Sequence, residues 1–336
     1  MCPPSAAIGM AAIDRSGEIS ADACAESIRQ AADILIENVE KVIVGKRETI
    51  ELVAVALFTE GHVLIEDVPG VGKTLLAKAI ARSLDGSFRR IQFTPDLLPS
   101  DVTGINTYNR QTEAFQFLAG PIMANIVLAD EINRATPRTQ ASLLEAMEER
   151  QVTTDGETRP LPRPFLVLAT QNPIEQEGTF PLPEAQRDRF LLTVTPGYPS
   201  AEDEERILLR FERTNPADSL SSIMSAAELT TTIGLCRHIR VGDAVRAYLV
   251  ALVRATRGHP DIRLGASPRA TQSLYRAVQA LAAMRGRAFV LPDDVKALAV
   301  PVLAHRLVAG ARSRLGGRTA ADVLADLMET VPVPVE

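Results

Sequence analysis

The sequence predicts an α/β core built around a parallel sheet flanked by helices, followed by an all-α domain. Three short apolar runs, at residues 63–65, 126–129 and 165–169, are typical of buried strands and are separated by helical segments. Strands that alternate with helices favour a parallel sheet. From about residue 199 the apolar residues recur at helical spacing instead. The chain's 336 residues suffice for two domains, each with its own core.

Composition and charge exclude several classes of protein. Hydrophobic residues make up 46% of the chain, which excludes a disordered protein, and the net charge of −6 provides no overall basic field for nucleic acid. The three cysteines have no C-x-x-C spacing, so neither a disulfide framework nor a zinc site is expected. No apolar run approaches the ~20 residues of a membrane span, and no basic segment of a signal peptide is found. We therefore expect a cytoplasmic protein without a membrane span.

The first part of the chain divides into an arm and a core. Residues 1–22 contain scattered proline, alanine and glycine and predict a flexible N-terminal arm, whereas residues 23–198 predict the α/β core. Apolar residues at helical spacing predict helices over 23–41 and 47–59, ahead of the first buried strand. A third helix is expected after that strand, over 73–84, since an Asp-Gly pair follows it.

A glycine-bearing turn joins the first strand to the third helix. Glycines let several backbone N–H groups point at one anion, and the N-terminus of a helix adds positive charge. Lys73 can then reach the β- and γ-phosphates of a nucleotide, and the Thr74 hydroxyl can bind Mg²⁺. The strict pattern G-x-x-x-x-G-K-[ST] requires glycine at position 67, where this chain has Asp67. By itself the turn therefore leaves a nucleotide-free loop open as an alternative. The candidate nucleotide-binding residues are Pro69, Gly70, Val71, Gly72, Lys73, Thr74 and Leu75.

The second buried strand ends in two adjacent carboxylates, Asp130 and Glu131. An Asp-Glu pair at a strand end suits hydrolysis, because one carboxylate can bind the metal and the other can activate the attacking water. We assign the metal to Asp130 and the water to Glu131. The phosphate loop and this pair together predict an ATP- and Mg²⁺-dependent nucleotide triphosphatase.

The rest of the core contains shorter predicted elements. Alternating residues predict a strand over 90–93, and residues 102–121 predict an inserted hairpin or a small helix-bearing excursion. A helix is expected over 137–150, and a polar hairpin over 151–163 with its turn at Asp155-Gly156. After a boundary at Tyr198-Pro199, residues 199–331 predict the helical domain. Its helices are expected near 201–214, 226–238, 242–257, 268–285, 292–308 and 319–330.

Three polar positions outside these motifs are further candidates. Asn172 follows the third buried strand and could orient the water or contact the γ-phosphate, although a strand-terminal Asn before a proline is an equal alternative. Arg189 or its neighbour Arg187 could enter the nucleotide site of another subunit as an arginine finger, and we favour Arg189. Arg269 follows Ser267, a good N-cap, and could reach phosphate from the start of a helix. Without the other motifs, a capped helix with an arginine on the surface would be the favoured interpretation.

The chain resembles the MoxR family of AAA+ ATPases over roughly residues 25–310. The resemblance rests on long irregular stretches: RIQFTPDLLPSDVTG, LADEINRATPRTQASLLEAMEERQVT, LATQNPIEQEGTFPLPEAQRDRF and GASPRA. It implies Walker A residues Lys73 and Thr74, Walker B residues Asp130 and Glu131, sensor 1 at Asn172, an arginine finger at Arg189, sensor 2 at Arg269, and adenine contacts at Val42, Ile43 and Gly45. Two positions depart from the family pattern, because Arg187 stands where Leu is usual and Lys46 where Gln is common.

The resemblance also implies partners and a function. Such ATPases assemble as rings, typically hexamers, and act as chaperones or remodellers that mature client protein complexes, including by metal-cofactor insertion. A partner with a von Willebrand factor A domain often accompanies them. The alternatives are a nucleic-acid motor of the same clade, which the acidic charge disfavours, and a nucleotide-dependent scaffold, which would not need Glu131.

Overall fold

The computed structural model describes residues 20–67, 70–172, 178–212 and 220–334. The predicted arm therefore lies outside the described residues except at its end, where the first helix begins at Ala21. The helices are α1 (Ala21–Glu40), α2 (Arg47–Phe58), α3 (Lys73–Ser83), α4 (Pro99–Thr103), α5 (Pro137–Glu149), α6 (Glu184–Arg187), α7 (Ala201–Phe211), α8 (Ala226–Leu235), α9 (Asp243–Gly258), α10 (Pro268–Met284), α11 (Pro292–Leu303), α12 (Ala311–Leu315) and α13 (Ala320–Thr330). The strands are β1 (Val63–Glu66), β2 (Phe88–Gln92), β3 (Gly104–Asn109), β4 (Ala114–Ala119), β5 (Ile126–Asp130), β6 (Gln151–Thr154), β7 (Glu157–Pro160), β8 (Leu166–Gln171), β9 (Leu192–Val194), β10 (Ile262–Leu264) and β11 (Val308–Ala309).

Five strands form the central sheet, in the order β2-β5-β8-β1-β9. Every pair in it is parallel, which confirms the parallel sheet predicted from the alternation of strands and helices. Since parallel strands end at one edge, the residues after β1, β5 and β8 lie close together. β1 precedes the phosphate loop, β5 continues into Glu131, and β8 precedes Asn172.

The two faces of the sheet enter two hydrophobic clusters. In β1, Val63 and Ile65 belong to one cluster, whereas Leu64 belongs to the other, as the alternation of side chains across a strand requires. The first cluster continues through α1 and α2 into α10 and α11 of the helical domain, where Leu274 and Leu298 are buried. The second lies between the sheet and α5 and includes the fully buried Phe165. The helical domain is thus joined to the core by continuous apolar packing.

Two antiparallel hairpins project from the core. In the first hairpin, β3 pairs with β4, with Gly104 opposite Ala119 at one end and Asn109 opposite Ala114 at the other. The 102–121 excursion is therefore a hairpin that follows the short helix α4. β6 and β7 pair around Asp155-Gly156, and both turn residues have positive φ, at 52° and 82°. This is the turn predicted there, because such a two-residue loop matches the twist of the strands. Arg159 stacks on Phe117 at 4.0 Å from the ring centroid, which connects the two hairpins.

The helical domain differs from the sequence prediction at several places: the helix predicted over 226–238 ends at Leu235, helix α12 and strand β10 were not predicted, and the largest difference follows α11. The helix predicted over 292–308 ends at Leu303, because the chain passes through a 3₁₀ turn over Ala304–Arg306 and then enters strand β11. β11 pairs with β10 in an antiparallel ladder, so the predicted all-α domain contains one short two-stranded sheet. Strands of two or three residues carry too little periodicity to be predicted from sequence. Among the described residues, no helix is long and apolar enough to cross a membrane.

Candidate active site

The phosphate loop lies between β1 and the N-terminus of α3. Gly70 and Gly72 have φ of +90° and +87°, a conformation that favours glycine, and open space lies beside both Cα atoms. Lys73 begins α3, and its Nζ donates a hydrogen bond of 2.7 Å to the carbonyl oxygen of Asp67. Burial lowers the pKa of Lys73, because desolvation disfavours its charged form. The loop is therefore an open cradle for an anion with one cation at its base. The predicted residue Pro69 lies outside the described residues.

One hydroxyl group from the neighbouring strand contacts both the Asp130 carboxylate and the backbone of Glu131. Thr170 in β8 donates a hydrogen bond from Oγ1 to Oδ1 of Asp130 at 2.6 Å. The same oxygen accepts the backbone N–H of Glu131 at 2.9 Å. Glu131 has φ of +57°, which is uncommon for a residue with a side chain and is typical of functional sites. Thr170 thus fixes both the Asp130 side chain and the strained backbone at Glu131.

Three polar residues that the sequence did not single out surround these carboxylates. Arg90 lies 2.6 Å from Oδ2 of Asp130, and Arg134 lies 3.0 Å from Oε2 of Glu131. Gln92 donates to the same oxygen of Glu131 at 2.6 Å and accepts from Arg90 at 2.8 Å. Each carboxylate therefore has an arginine partner in this structure. The available signal was strand alternation, since Arg90 and Gln92 flank the buried Ile91 in β2.

One cavity of about 440 Å³ gathers most of the predicted site. A hydroxyl group and a carboxylate, from Thr74 and Asp130, face a space bordered by the glycine loop, and these oxygen donors suit Mg²⁺. The residues present therefore fit a nucleotide triphosphate with its metal. The predicted residues that line the cavity are Gly70, Gly72, Lys73, Thr74, Leu75, Asp130, Glu131 and Asn172, and the additional ones are Arg90, Gln92 and Thr170. Val71 is half-buried in the same loop.

The residues predicted to contact adenine lie elsewhere. Val42 and Ile43 are buried in the first hydrophobic cluster. Gly45 lines a second cavity, of about 540 Å³, between α2, β9 and α11. Gly45 has φ of +69°, which favours glycine, and a Cβ atom there would lie 2.0 Å from the Asp203 carboxylate at the start of α7. Lys46 does not enter the phosphate cavity, because its Nζ donates to the carbonyl oxygens of Pro196 and Tyr198 at 2.8 and 2.9 Å.

The predicted arginines are also outside the phosphate cavity of their own chain. Arg189 and Arg269 share one carboxylate on α5: Nε of Arg189 lies 3.0 Å from Glu148, and Arg269 forms an ion pair with its other oxygen. Arg187 instead lies 3.3 Å from Glu66, at the end of β1, and lines the second cavity. The structure thus places Arg189 beside Arg269 and separates both from Arg187.

Comparison with known proteins identifies the family. Residues 62–192 match the model of the ATPase family associated with various cellular activities (AAA), and residues 254–327 match the AAA lid domain. The chain is 46% identical over 282 residues to Chaperone MoxR1 of Mycobacterium tuberculosis, an alignment that covers 81% of this chain and 74% of that protein. It is 33% identical over 340 residues to Protein MoxR of Methylorubrum extorquens, covering 93% and 98%. The chain belongs to the MoxR family of AAA+ ATPases.

A solved structure shares the fold of this MoxR-family chain over most of its length. The crystal structure of a candidate ATPase from Cytophaga hutchinsonii superposes with a TM-score of 0.88 at 37% sequence identity. The alignment covers 94% of this chain and 98% of that one. The fold therefore occurs in this relative over nearly the same length of chain, and the resemblance found in the sequence is confirmed.

Proposed function

We propose that the protein hydrolyses ATP to ADP and phosphate in a Mg²⁺-dependent reaction and uses the energy to remodel client proteins. The observation that carries the hydrolytic part is the hydrogen bonding of Thr170. It holds Asp130 and Glu131 on the border of the cavity that contains Lys73 and the glycine loop. A metal-binding carboxylate beside a second carboxylate for the water is the arrangement that hydrolysis requires.

The glycine loop and the predicted catalytic residues of the cavity have distinct parts in this proposal. The N–H groups of the glycine loop and the start of α3 bind the β- and γ-phosphates, and Lys73 balances their charge. Thr74 and Asp130 hold the metal. When bound, Mg²⁺ offsets the charge on the phosphoryl oxygens. Glu131 orients the attacking water and accepts its proton, and Asn172, which borders the same cavity, orients that water from the end of β8.

We propose further that the protein assembles as a hexameric ring and that a neighbouring subunit completes each nucleotide site. Arg189 and Arg269 lie together on Glu148 and do not line the phosphate cavity of their own chain. The Arg189 side chain is 29% exposed and that of Arg269 is 43% exposed, so both can be reached by another subunit. Arginines offered to a neighbour's γ-phosphate stabilise the charge of the transition state. Adenine would contact the Val42–Gly45 segment.

The remodelling part of the proposal is supported by the β3–β4 hairpin. Tyr108 and Phe115 stack edge to face near its tip, and Phe115 is 74% exposed. Exposed aromatic residues at the end of a projecting ribbon suit contact with an unfolded or loosely packed client. A relative of this chain is named as a chaperone. We place the protein in the cytoplasm and infer that its clients are protein complexes that need maturation, including metal-cofactor insertion, beside a von Willebrand factor A domain partner.

Turnover at increasing protein concentration tests the shared site. ATP turnover per subunit is measured for wild type, Glu131→Gln and Arg189→Ala, with Arg246→Ala as a matched control because Arg246 is an exposed arginine that forms an ion pair with Asp243 in the same helix, α9. We expect wild-type turnover to rise with concentration. Arg189→Ala should lose about 10³-fold or more, as for other arginine fingers, and turnover should also collapse in Glu131→Gln because it lacks the base. Concentration-independent turnover that survives Arg189→Ala would refute the shared site.

Client capture tests the remodelling proposal separately. Glu131→Gln keeps the nucleotide cavity but lacks the base, so it should stall with ATP bound and retain a client that wild type releases. The same pull-down with Lys73→Ala, which lacks the phosphate cation, should recover less of that client. Equal client recovery from both variants would show that client binding does not depend on bound ATP, and it would contradict a remodelling cycle.

A further inference from the structure

A buried ion pair lies directly behind the two arginines assigned to the neighbouring site. Asp188 immediately precedes Arg189, and its partner Arg306 comes from the 3₁₀ turn that follows α11 in the helical domain. The Arg306 residue is only 4% exposed. Its Nε lies 2.9 Å from Oδ1 of Asp188, an ionic contact too bent to be a hydrogen bond. A charged pair thus crosses between the core and the helical domain.

The guanidinium of Arg306 also binds the backbone on both sides of Arg189. Its Nη2 lies 2.6 Å from the carbonyl oxygen of Phe190 and 3.3 Å from that of Asp188. The same nitrogen reaches Oγ of Ser273, on α10, at 3.1 Å. A planar guanidinium has five N–H groups in a rigid fork, so it can hold several acceptors in one arrangement. Arg306 therefore fixes the peptide that carries Arg189 against the helix that carries Arg269.

Asp188, in the core, is hydrogen-bonded to the start of helix α10. Its Oδ2 accepts a hydrogen bond of 2.9 Å from Ser267, the N-cap residue of α10. Ser267 in turn accepts the N–H of Ala270 at 3.1 Å, which fixes the first turn of the helix. Arg269 lies in that turn. The carboxylate next to Arg189 therefore sets the start of the helix that presents Arg269, and both side chains converge on Glu148.

Stability alone gives little reason for this pair. Burial lowers the pKa of Arg306 to about 10, which shows that the charged form is held against a desolvation penalty. Buried ion pairs can often be replaced by apolar residues without loss of stability. The contacts instead provide a fixed geometry between two separate elements, the 188–190 segment and α10.

We propose that Asp188 and Arg306 are positioning residues that fix Arg189 and Arg269 relative to each other. The two guanidiniums then reach one phosphate group of the adjacent subunit as a single rigid unit. The proposal rests on the shared site proposed above. It predicts that loss of the ion pair impairs the sites of neighbouring subunits and leaves the nucleotide cavity of the altered subunit intact.

The test compares Asp188→Asn with the control Asp294→Asn. Asp294 is another buried carboxylate paired with arginines, but it lies within the helical domain, away from residues 188–190. A misplacement of about 1 Å can cost about 10²-fold in rate, so we expect Asp188→Asn to lower kcat by roughly 10- to 100-fold. Its affinity for a fluorescent ATP analogue should stay at the wild-type value. Asp294→Asn should keep the wild-type kcat. The double variant Asp188→Asn/Arg306→Met leaves no buried unpaired charge and should show the same loss as Asp188→Asn.

Mixed rings separate positioning from a general structural defect. Lys73→Ala subunits have no working cavity of their own but carry an intact Asp188, so they can supply arginines to Asp188→Asn neighbours. In an equal mixture about a quarter of the head-to-tail interfaces combine an intact cavity with intact arginines, and turnover should recover to about that fraction. Wild-type kcat in Asp188→Asn, or no recovery on mixing, would overturn the positioning role. Wild-type turnover in Arg189→Ala would instead overturn the shared site itself.

Discussion

The guanidinium of Arg90 lies 2.6 Å from the carboxylate of Asp130, the residue that we assign to the metal. Arg90 is also hydrogen-bonded to Gln92, which contacts Glu131, so the two acidic residues are connected through β2. Thr170 donates to Oδ1 of Asp130 and Arg90 lies beside Oδ2, so a metal held by Asp130 would share the carboxylate with both groups. If Asp130 holds the metal, as proposed above, Arg90 and the metal would compete for one carboxylate.

Replacement of Arg90 should change the metal requirement of nucleotide binding. In Arg90→Met the competing charge is absent, and the nearby positive potential that opposes a divalent cation falls. We expect half-maximal binding of a fluorescent ATP analogue at a several-fold lower Mg²⁺ concentration than in wild type. Arg89→Met is the control, because Arg89 is exposed in the same strand and does not line the cavity. A higher Mg²⁺ requirement would indicate that Arg90 contacts the phosphates instead.

Thr170→Val should impair hydrolysis more than nucleotide binding. The substitution preserves shape but removes the hydrogen bonds to Asp130 and to the N–H of Glu131, interactions worth about 1–3 kcal/mol when a buried partner is left unsatisfied. We expect kcat to fall by about 10- to 100-fold. Thr193→Val is the matched control, because the hydroxyl of Thr193, in the edge strand β9, has no hydrogen-bond partner among the described residues. Equal turnover in the two variants would contradict the role given to Thr170.

Acid should destabilise the fold through His62. Burial lowers its pKa to about 4, and its Nδ1 accepts the N–H of Val167 while Nε2 donates to Met147, so the folded protein holds the neutral ring. The unfolded chain takes up the proton at the ordinary pKa of 6.5, so stability falls as pH decreases from 6.5 towards 4. The full loss from this one group is about 3 kcal/mol.

Urea unfolding between about pH 7 and pH 4 measures this dependence. His62→Gln should be less stable than wild type near neutrality, because it disturbs two buried hydrogen bonds, but its free energy of unfolding should fall less steeply with acid. His238→Gln, at an exposed position, should keep the wild-type slope. An unchanged slope in His62→Gln would show that other groups cause the loss of stability in acid, among them His305, whose pKa is also lowered by burial.

The hairpin tip should be needed for clients and dispensable for the ATPase cycle. Tyr108→Ser/Phe115→Ser removes the exposed aromatic pair without touching either hydrophobic cluster, so the fold and basal turnover should be unchanged. Client retention in the Glu131→Gln background should be lost. Leu315→Ser is the control, because that leucine is 91% exposed in the helical domain. Retention that survives the hairpin substitutions would place the client on another surface.

The sequence predicted those parts of the site that depend on local order along the chain. A buried strand, a glycine turn and a helix start at Lys73 follow one another directly, and a strand ends at Asp130, so local rules were enough to place these residues at one edge of a sheet. The roles assigned to them remain predictions. The same rules predicted the turn at Asp155-Gly156 and the N-cap at Ser267.

Contacts between distant elements were decided only by the tertiary structure. Thr170 reaches Asp130 and Glu131 because β8 lies beside β5, and Arg90 reaches Asp130 because β2 pairs with β5 on its other side. Arg306 reaches residues 188–190 across more than a hundred positions of the chain because the helical domain packs against the edge of the sheet. Helical period, turn chemistry and caps act over a few neighbouring residues and can be read in order, whereas strand order and domain packing depend on which surfaces meet after the chain has folded. The sequence alone therefore determined the family and the residues at the ends of the strands, and the tertiary structure determined which side chains hold them.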